Sequence, residues 1–384
     1  MTDDSYSLLR GGPAFRATRA AGLHREGVPT SAVIAAGLLL IALGPVVAAA
    51  AAQGTLFGNL VRIPLLTDYT VSARFLIAMP MLVLAAPAAD ARIWFVVQHL
   101  RKLVAPERHD QFEATLTRVR RWRDATLPEL LFFVLAVAGA VLTTPILDAH
   151  AGISNWRASE QGLSTAALWL TWVAVPAFRF IVLLWLWRFL LWTYLLWRLS
   201  RAPLDLHAAH PDGHGGLGFL GYAQQAFTPL ALAGGLILAG SLIDQILYFG
   251  ETLDSLKYLM GGYVLFAVLL LTAPLLLLSR RLLKLKHESL LAYGTLGTDC
   301  AENFEKKWLG RARGGGAPIL EAGDPSALAD FTSVHATVSG MTIVPFSRDT
   351  PIAFALAAAL PMLPVALIAT SLDQVLAKLI SILA

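Results

Sequence analysis

The densest set of groups able to do chemistry lies in HAAHPDGH, where His207, His210, Asp212 and His214 fall within eight positions. Imidazole and carboxylate together suit Zn²⁺, Fe²⁺ or Mn²⁺, so these four residues form the candidate metal or polar site. The spacing matches no strict metal-binding pattern, and Pro-Asp-Gly is by itself a strong turn signal. No metal or other cofactor is therefore predicted. Histidines close to lipid headgroups can also act as pH-sensitive anchors. A second set of polar residues is embedded in apolar sequence: Arg179 and Asp244 are the candidate transport-path residues. An arginine at the bilayer centre costs about 2.5–3.5 kcal/mol on insertion scales, so such residues face a cavity, a bundle interior or an interface. Arg179 and Arg188 are expected to snorkel toward headgroups. Asp90, Arg92 and Asp244 are read as charges near helix ends.

The same stretch carries GHGGLG and GLGFLG, each formally G-x-G-x-x-G. That fingerprint signals a dinucleotide only after a strand in a βαβ unit, and here an apolar helix precedes it. Gly215, Gly216, Gly218 and Gly221 instead permit close helix packing. Ala231, Gly235 and Ala239 continue as a small-xxx-small face, which predicts a central fifth span. No Walker loop, nucleophile elbow, HExxH or paired cysteine motif is present, and Cys300 is the sole cysteine. The reading leans away from an enzyme.

The elements that must position these residues are membrane helices. The chain is 56% hydrophobic and 15% charged, with a mean hydropathy of +0.62, which excludes an ordinary soluble domain. The fold class is all-α, a polytopic transmembrane bundle. Seven apolar runs approach the roughly 20 residues needed to cross a bilayer: 31–52, 72–90, 127–147, 165–187, 226–248, 258–279 and 351–370. Residues 1–30 form an N-terminal segment, 31–283 carry six spans, 284–349 form a helical insertion, and 350–384 hold the last span with an amphipathic tail. Of the 30 Lys and Arg residues, 23 fall on one side of this arrangement and five on the other. The asymmetry places the N-terminus in the cytoplasm and the C-terminus outside. The basic charge is thus a topology signal rather than a nucleic-acid footprint. The expected partners are the lipid bilayer and a second copy or another membrane protein.

Six of the ten tryptophans lie between 169 and 197. Two groups, 169–172 and 185–187, are spaced for the two interfaces, and 188–199 are expected along or beyond the cytoplasmic surface. Residues 91–126 form a basic cytoplasmic loop, and 207–221 the HPDGHGG turn. The loop reads as an extension of the second helix, amphipathic as for a helix at a membrane surface, then a break at Pro106 and a polar helix. Asp324-Pro325 opens a helix in the insertion, which is expected to dock on the bundle. Pro361 and Pro364 predict a kink in the last span.

HPDGHGGLGFLG after a Trp-rich helix, FEKKW and the closing proline-kinked helix resemble a group of bacterial multi-pass inner-membrane proteins of uncharacterised activity that carry HPDxxGGLGFLG. The resemblance runs from about residue 195 to the end. It implies membrane location and a shared fold, and no activity. Three functions follow as alternatives: a transporter or channel for ions or small solutes, a membrane scaffold or sensor, and a membrane-embedded metalloenzyme.

Overall fold

The computed structural model describes residues 11–13, 16, 20, 30–58, 60–148, 153–159, 162–309 and 323–369, with only the backbone over 141–148. Six helices are long and apolar enough to cross a membrane. They are α1 (Thr30–Ala52), α2 (Tyr69–Leu103), α5 (Thr165–Arg201), α6 (Leu220–Phe249), a rod from Leu253 to Trp308, and α10 (Asp349–Ala369). The rod consists of α7 (Leu253–Thr272), a 3₁₀ segment Ala273–Leu278 and α8 (Ser279–Trp308). The run expected at 127–147 is α4 (Thr126–Asp148), apolar but described in its side chains only to Ala140. It is therefore not among the six. Between α2 and α4 lies α3 (His109–Asp124), and α9 (Gly323–Gly340) follows α8. The strands are the short hairpin β1 (Ala158–Ser159) and β2 (Gly162–Leu163).

Successive helices alternate direction between two ends. One end, the basic end, gathers the segments 103–126, 201–220, 279–309 and 341–349. The opposite end carries the loops 53–68 and 153–164. There Ile63 and Trp156 exchange backbone hydrogen bonds with the neighbouring loop. Helix α6 packs on α2, α7 and α10, and half of its most apolar window is buried, the largest share among the six. Small residues allow this. A Cβ at Gly235 would meet the Ala358 carbonyl of α10 at 2.5 Å, and one at Gly240 the Tyr69 carbonyl of α2 at 2.5 Å. Ala231 and Ala239 are buried on the same helix.

Prolines set the irregular turns. Pro80 and Pro176 lack an N–H and clash with the carbonyl four residues back. Each follows a π-helical turn, Ser72–Ala78 and Leu170–Ala174, that spreads the backbone there. Pro274 likewise sits in the 3₁₀ segment of the rod, and Pro361 in the 3₁₀ turn Leu360–Met362.

Three expectations need correction. Within the 284–349 insertion, residues 341–346 dock on the bundle, but α8 beyond its root and α9 do not, and the helix has no break at 283. Helix α8 runs on from the membrane for about 45 Å and pairs with α9 as a projecting hairpin. Tyr293 and Phe331 stack with centroids 6.5 Å apart, and Lys307 pairs with Asp324. Among the described residues of the hairpin only the root is buried, at Leu282, Val338 and Met341, whereas Leu291 is 76% exposed. The second correction concerns 93–103. It continues the second span as expected, but Ile93, Val96, Val97 and Leu100 are buried in the protein core, so it does not lie at a membrane surface. The third concerns α5, which is one 37-residue helix. Trp169 and Trp172 are exposed as expected of an interfacial group, whereas of the second group Trp185 is buried and Trp187 half-buried. The amphipathic tail expected beyond residue 370 lies outside the described residues.

Candidate functional site

The HPDGHGG turn connects α5 to α6 at the basic end. His210 N–H bonds the His207 carbonyl at 3.0 Å, and Gly213 N–H the His210 carbonyl at 3.1 Å. The chain then doubles back through Gly213, Gly215 and Gly216 at φ of 66°, 65° and 89°, a region that residues with a Cβ rarely enter. The doubling points three N–H groups inward. The Asp212 carboxylate accepts from His214 at 2.8 Å, Gly216 at 3.1 Å and Gly218 at 3.0 Å. His210 Nδ1 lies 2.9 Å from the same carboxylate. Burial alone would raise the Asp212 pKa, but the hydrogen bonds from Gly218, His214, Gly216 and His210 outweigh it and hold the carboxyl below its ordinary range.

The outer side of this turn grips the hairpin. Thr342 N–H donates to the Gly213 carbonyl at 2.9 Å, and His214 Nδ1 lies 2.9 Å from the Val344 carbonyl. A carbonyl only accepts, so Nδ1 carries the proton in that contact. Lys286 of α8 donates to the Met341 carbonyl at 2.7 Å. A Cβ on Gly215 would meet Met341, Leu282 and Leu285 at 3.0–3.3 Å, and one on Gly221 would meet Thr350 at 2.6 Å. A Cβ on Gly218 would meet His214 at 2.9 Å. His207 stands apart, exposed, with Nε2 3.4 Å from Asp205. The four residues of the candidate metal site thus divide: Asp212, His210 and His214 build one knot and His207 does not join it. Among the described residues no group of three or more His, Cys, Asp or Glu is placed to hold a metal ion.

The candidate path residues are also engaged. Asp244 of α6 accepts from the Tyr69 and Thr70 N–H groups at 3.0 and 2.9 Å and from the Thr70 hydroxyl at 2.6 Å. It caps the start of α2, where free N–H groups favour an anion. Asp68 does the same from within the chain. It accepts from Val71 N–H at 2.9 Å, from the Trp156 indole at 3.0 Å and from Arg157 at 2.6 Å. Arg179 lies against Gly139 of α4, whose added Cβ would stand 2.6 Å from the guanidinium. Arg188 does not snorkel. It is 3% exposed, sits 3.8 Å from Glu129 and donates to the Gly11 carbonyl at 2.9 Å. Its position near the basic end of a long helix puts it beneath α3 and α4 rather than in headgroups.

No known protein family, curated protein or solved structure matches this chain. Function therefore has to be argued from its own residues.

Two groups escaped the sequence reading. Gln224 is fully buried; it accepts from the Trp192 indole at 2.7 Å and donates to the Leu271 carbonyl. That carbonyl is available because Pro274, with no N–H, cannot bond it in a 3₁₀ turn. The second is Arg74. It lies inside α2, on the π-helical turn, with its guanidinium 6.0 Å from the Phe75 and Phe178 ring centroids. Its place within the run 72–90 was the available signal, since an ionisable residue inside a span is a site hypothesis by default.

Proposed function

We propose that the protein is an integral scaffold of the bacterial inner membrane that holds the α8–α9 hairpin out as a docking arm in the cytoplasm. In this reading the basic end and the N-terminus are cytoplasmic and the C-terminus periplasmic, as the distribution of Lys and Arg favours. One observation carries the reading. The HPDGHGG turn, the most elaborate polar arrangement on the aqueous side, grips the hairpin's root through Thr342, Val344 and Met341. The bilayer is one partner, and the exposed Leu291 and Val334 offer contact to another protein or a second copy. No transport or catalysis is assigned to the protein itself.

The test places a photo-crosslinking amino acid at Leu291 or Val334 in cells. A discrete crosslinked species is expected, weakened in an Asp212→Ala variant that still inserts. Purified protein in proteoliposomes is expected to pass no ions or protons. Flux abolished by Arg179→Ala or Asp244→Ala, without unfolding, would replace the scaffold by a conduction pathway.

A further inference from the structure

A lateral cavity of about 600 Å³ opens between α2, α6 and α7 near the end opposite the hairpin. Its polar lining is Thr70, Arg74, Ser241, Tyr258 and Tyr263. Among the described residues Arg74 makes ring contacts and no hydrogen bond or ion pair. The nearby acids are already engaged: Asp68 pairs with Arg157, and Asp244 turns both oxygens to Tyr69 and Thr70. A guanidinium at such a place calls for an anion, because a low-dielectric surrounding penalises an uncompensated charge.

A second cavity of about 180 Å³ continues from the first and shares Gly234, Ile237, Tyr263 and Phe266 with it. Its further lining is apolar, including Val182, Leu186, Leu230 and Leu270. From Ser241 to Leu230 along α6 is 11 residues, about 16 Å. That is roughly half of a hydrocarbon core of about 30 Å, the depth of one leaflet. Tyr263 stands at the junction of the two cavities. Its hydroxyl donates to the Ala231 carbonyl at 2.6 Å, and only a glycine at 234 leaves room for it. The exposed side chains of Tyr258, Leu259 and Phe266 leave the groove open to its surroundings.

We infer that this groove binds an anionic amphiphile, with its acidic head on Arg74 and the hydroxyls of Ser241 and Tyr258 and one acyl chain in the apolar slot. A free fatty acid and an anionic phospholipid share that chemistry. The inference stands independently of the hairpin's role.

The experiment is native mass spectrometry of the delipidated full chain, titrated in separate arms with oleate, phosphatidylglycerol and phosphatidylcholine. One bound oleate or phosphatidylglycerol per chain is expected, at a concentration at least about ten-fold below that for phosphatidylcholine. Arg74→Gln should remove about ten-fold of that preference, as expected for losing one charge-assisted contact, and Arg74→Lys should restore part of it. Val182→Trp, which fills the slot, should weaken oleate but not octanoate. Retention by one of the two anionic arms alone identifies the source of the head group. Equal retention of phosphatidylcholine, or retention unchanged in Arg74→Gln, would mean ordinary annular lipid and overturn the inference.

Discussion

Arg188 and Arg74 both lie within membrane-spanning helices, and their surroundings differ. Arg188 meets a carboxylate, Glu129, and the backbone carbonyls of Gly11 and Arg123. Arg74 meets two phenyl rings and a cavity. The first is enclosed by its own chain, so its charge holds α5 against α4 and the 11–13 segment. The second is left open to something outside the chain. Buried arginine is thus not one category: the partner, rather than the depth, separates a structural charge from a binding charge.

Mutations can break this contrast at graded strengths. Arg188→Ala removes the cation facing Glu129 and is expected to cost about 3–5 kcal/mol, as other broken buried pairs do. Thermal unfolding in detergent measures it, and a mild effect would mean that Glu129 relaxes toward water. Gly215→Val forces a β-branched residue to φ 65° against Met341 and Leu282. About 1–3 kcal/mol is expected, seen as faster hydrogen exchange at 279–290 and 338–346 with the bundle unchanged.

Asp212→Asn weakens the knot at the hairpin root by about 1–2 kcal/mol. The pH dependence of the unaltered protein sharpens this prediction. The folded pKa of Asp212 is held below its unfolded value, so the carboxylate's stabilisation is complete above about pH 4. It is lost as pH falls through the lower, folded pKa. Root protection should therefore fall as pH drops below about 4, with that fall absent in Asp212→Asn. Lys306→Ala removes the exposed pair with Glu302 at 3.1 Å and should shift stability by no more than about 0.5 kcal/mol. The smallest effect belongs to Arg74→Gln, with stability within about 0.5 kcal/mol of the parent and lipid retention changed. A loss as large as that of Arg188→Ala would erase the distinction between the two arginines.

The helical membrane architecture was legible because a long apolar run has few other uses. The central role of α6 was legible in Ala231, Gly235 and Ala239, since small residues at that spacing let backbones approach. The fate of Arg188 was not, because α5 is longer than a bilayer is thick and sequence does not say which part is submerged. Asp212 posed a different problem. Its type and spacing suit a metal as well as a turn, and the N–H groups of His214, Gly216 and Gly218 that claim it converge only because the chain doubles back through Gly213, Gly215 and Gly216 at left-handed φ. Asp244 is similar, since its donors are 174 and 175 positions away in the chain. Arg74 needed two cavities formed by four separate helices, which no local pattern encodes.

The rod from Leu253 to Trp308 joins two places that otherwise have nothing in common. Tyr258 and Tyr263 of the groove sit near one end, and the hairpin is the other end. The 3₁₀ segment between them rests on α5 and forms a natural fulcrum. With an aqueous arm of about 45 Å, a tilt of about 10° displaces the tip by about 8 Å. A tilt of α7 carried rigidly through the rod would therefore reach the far end as a displacement several times larger than at the groove.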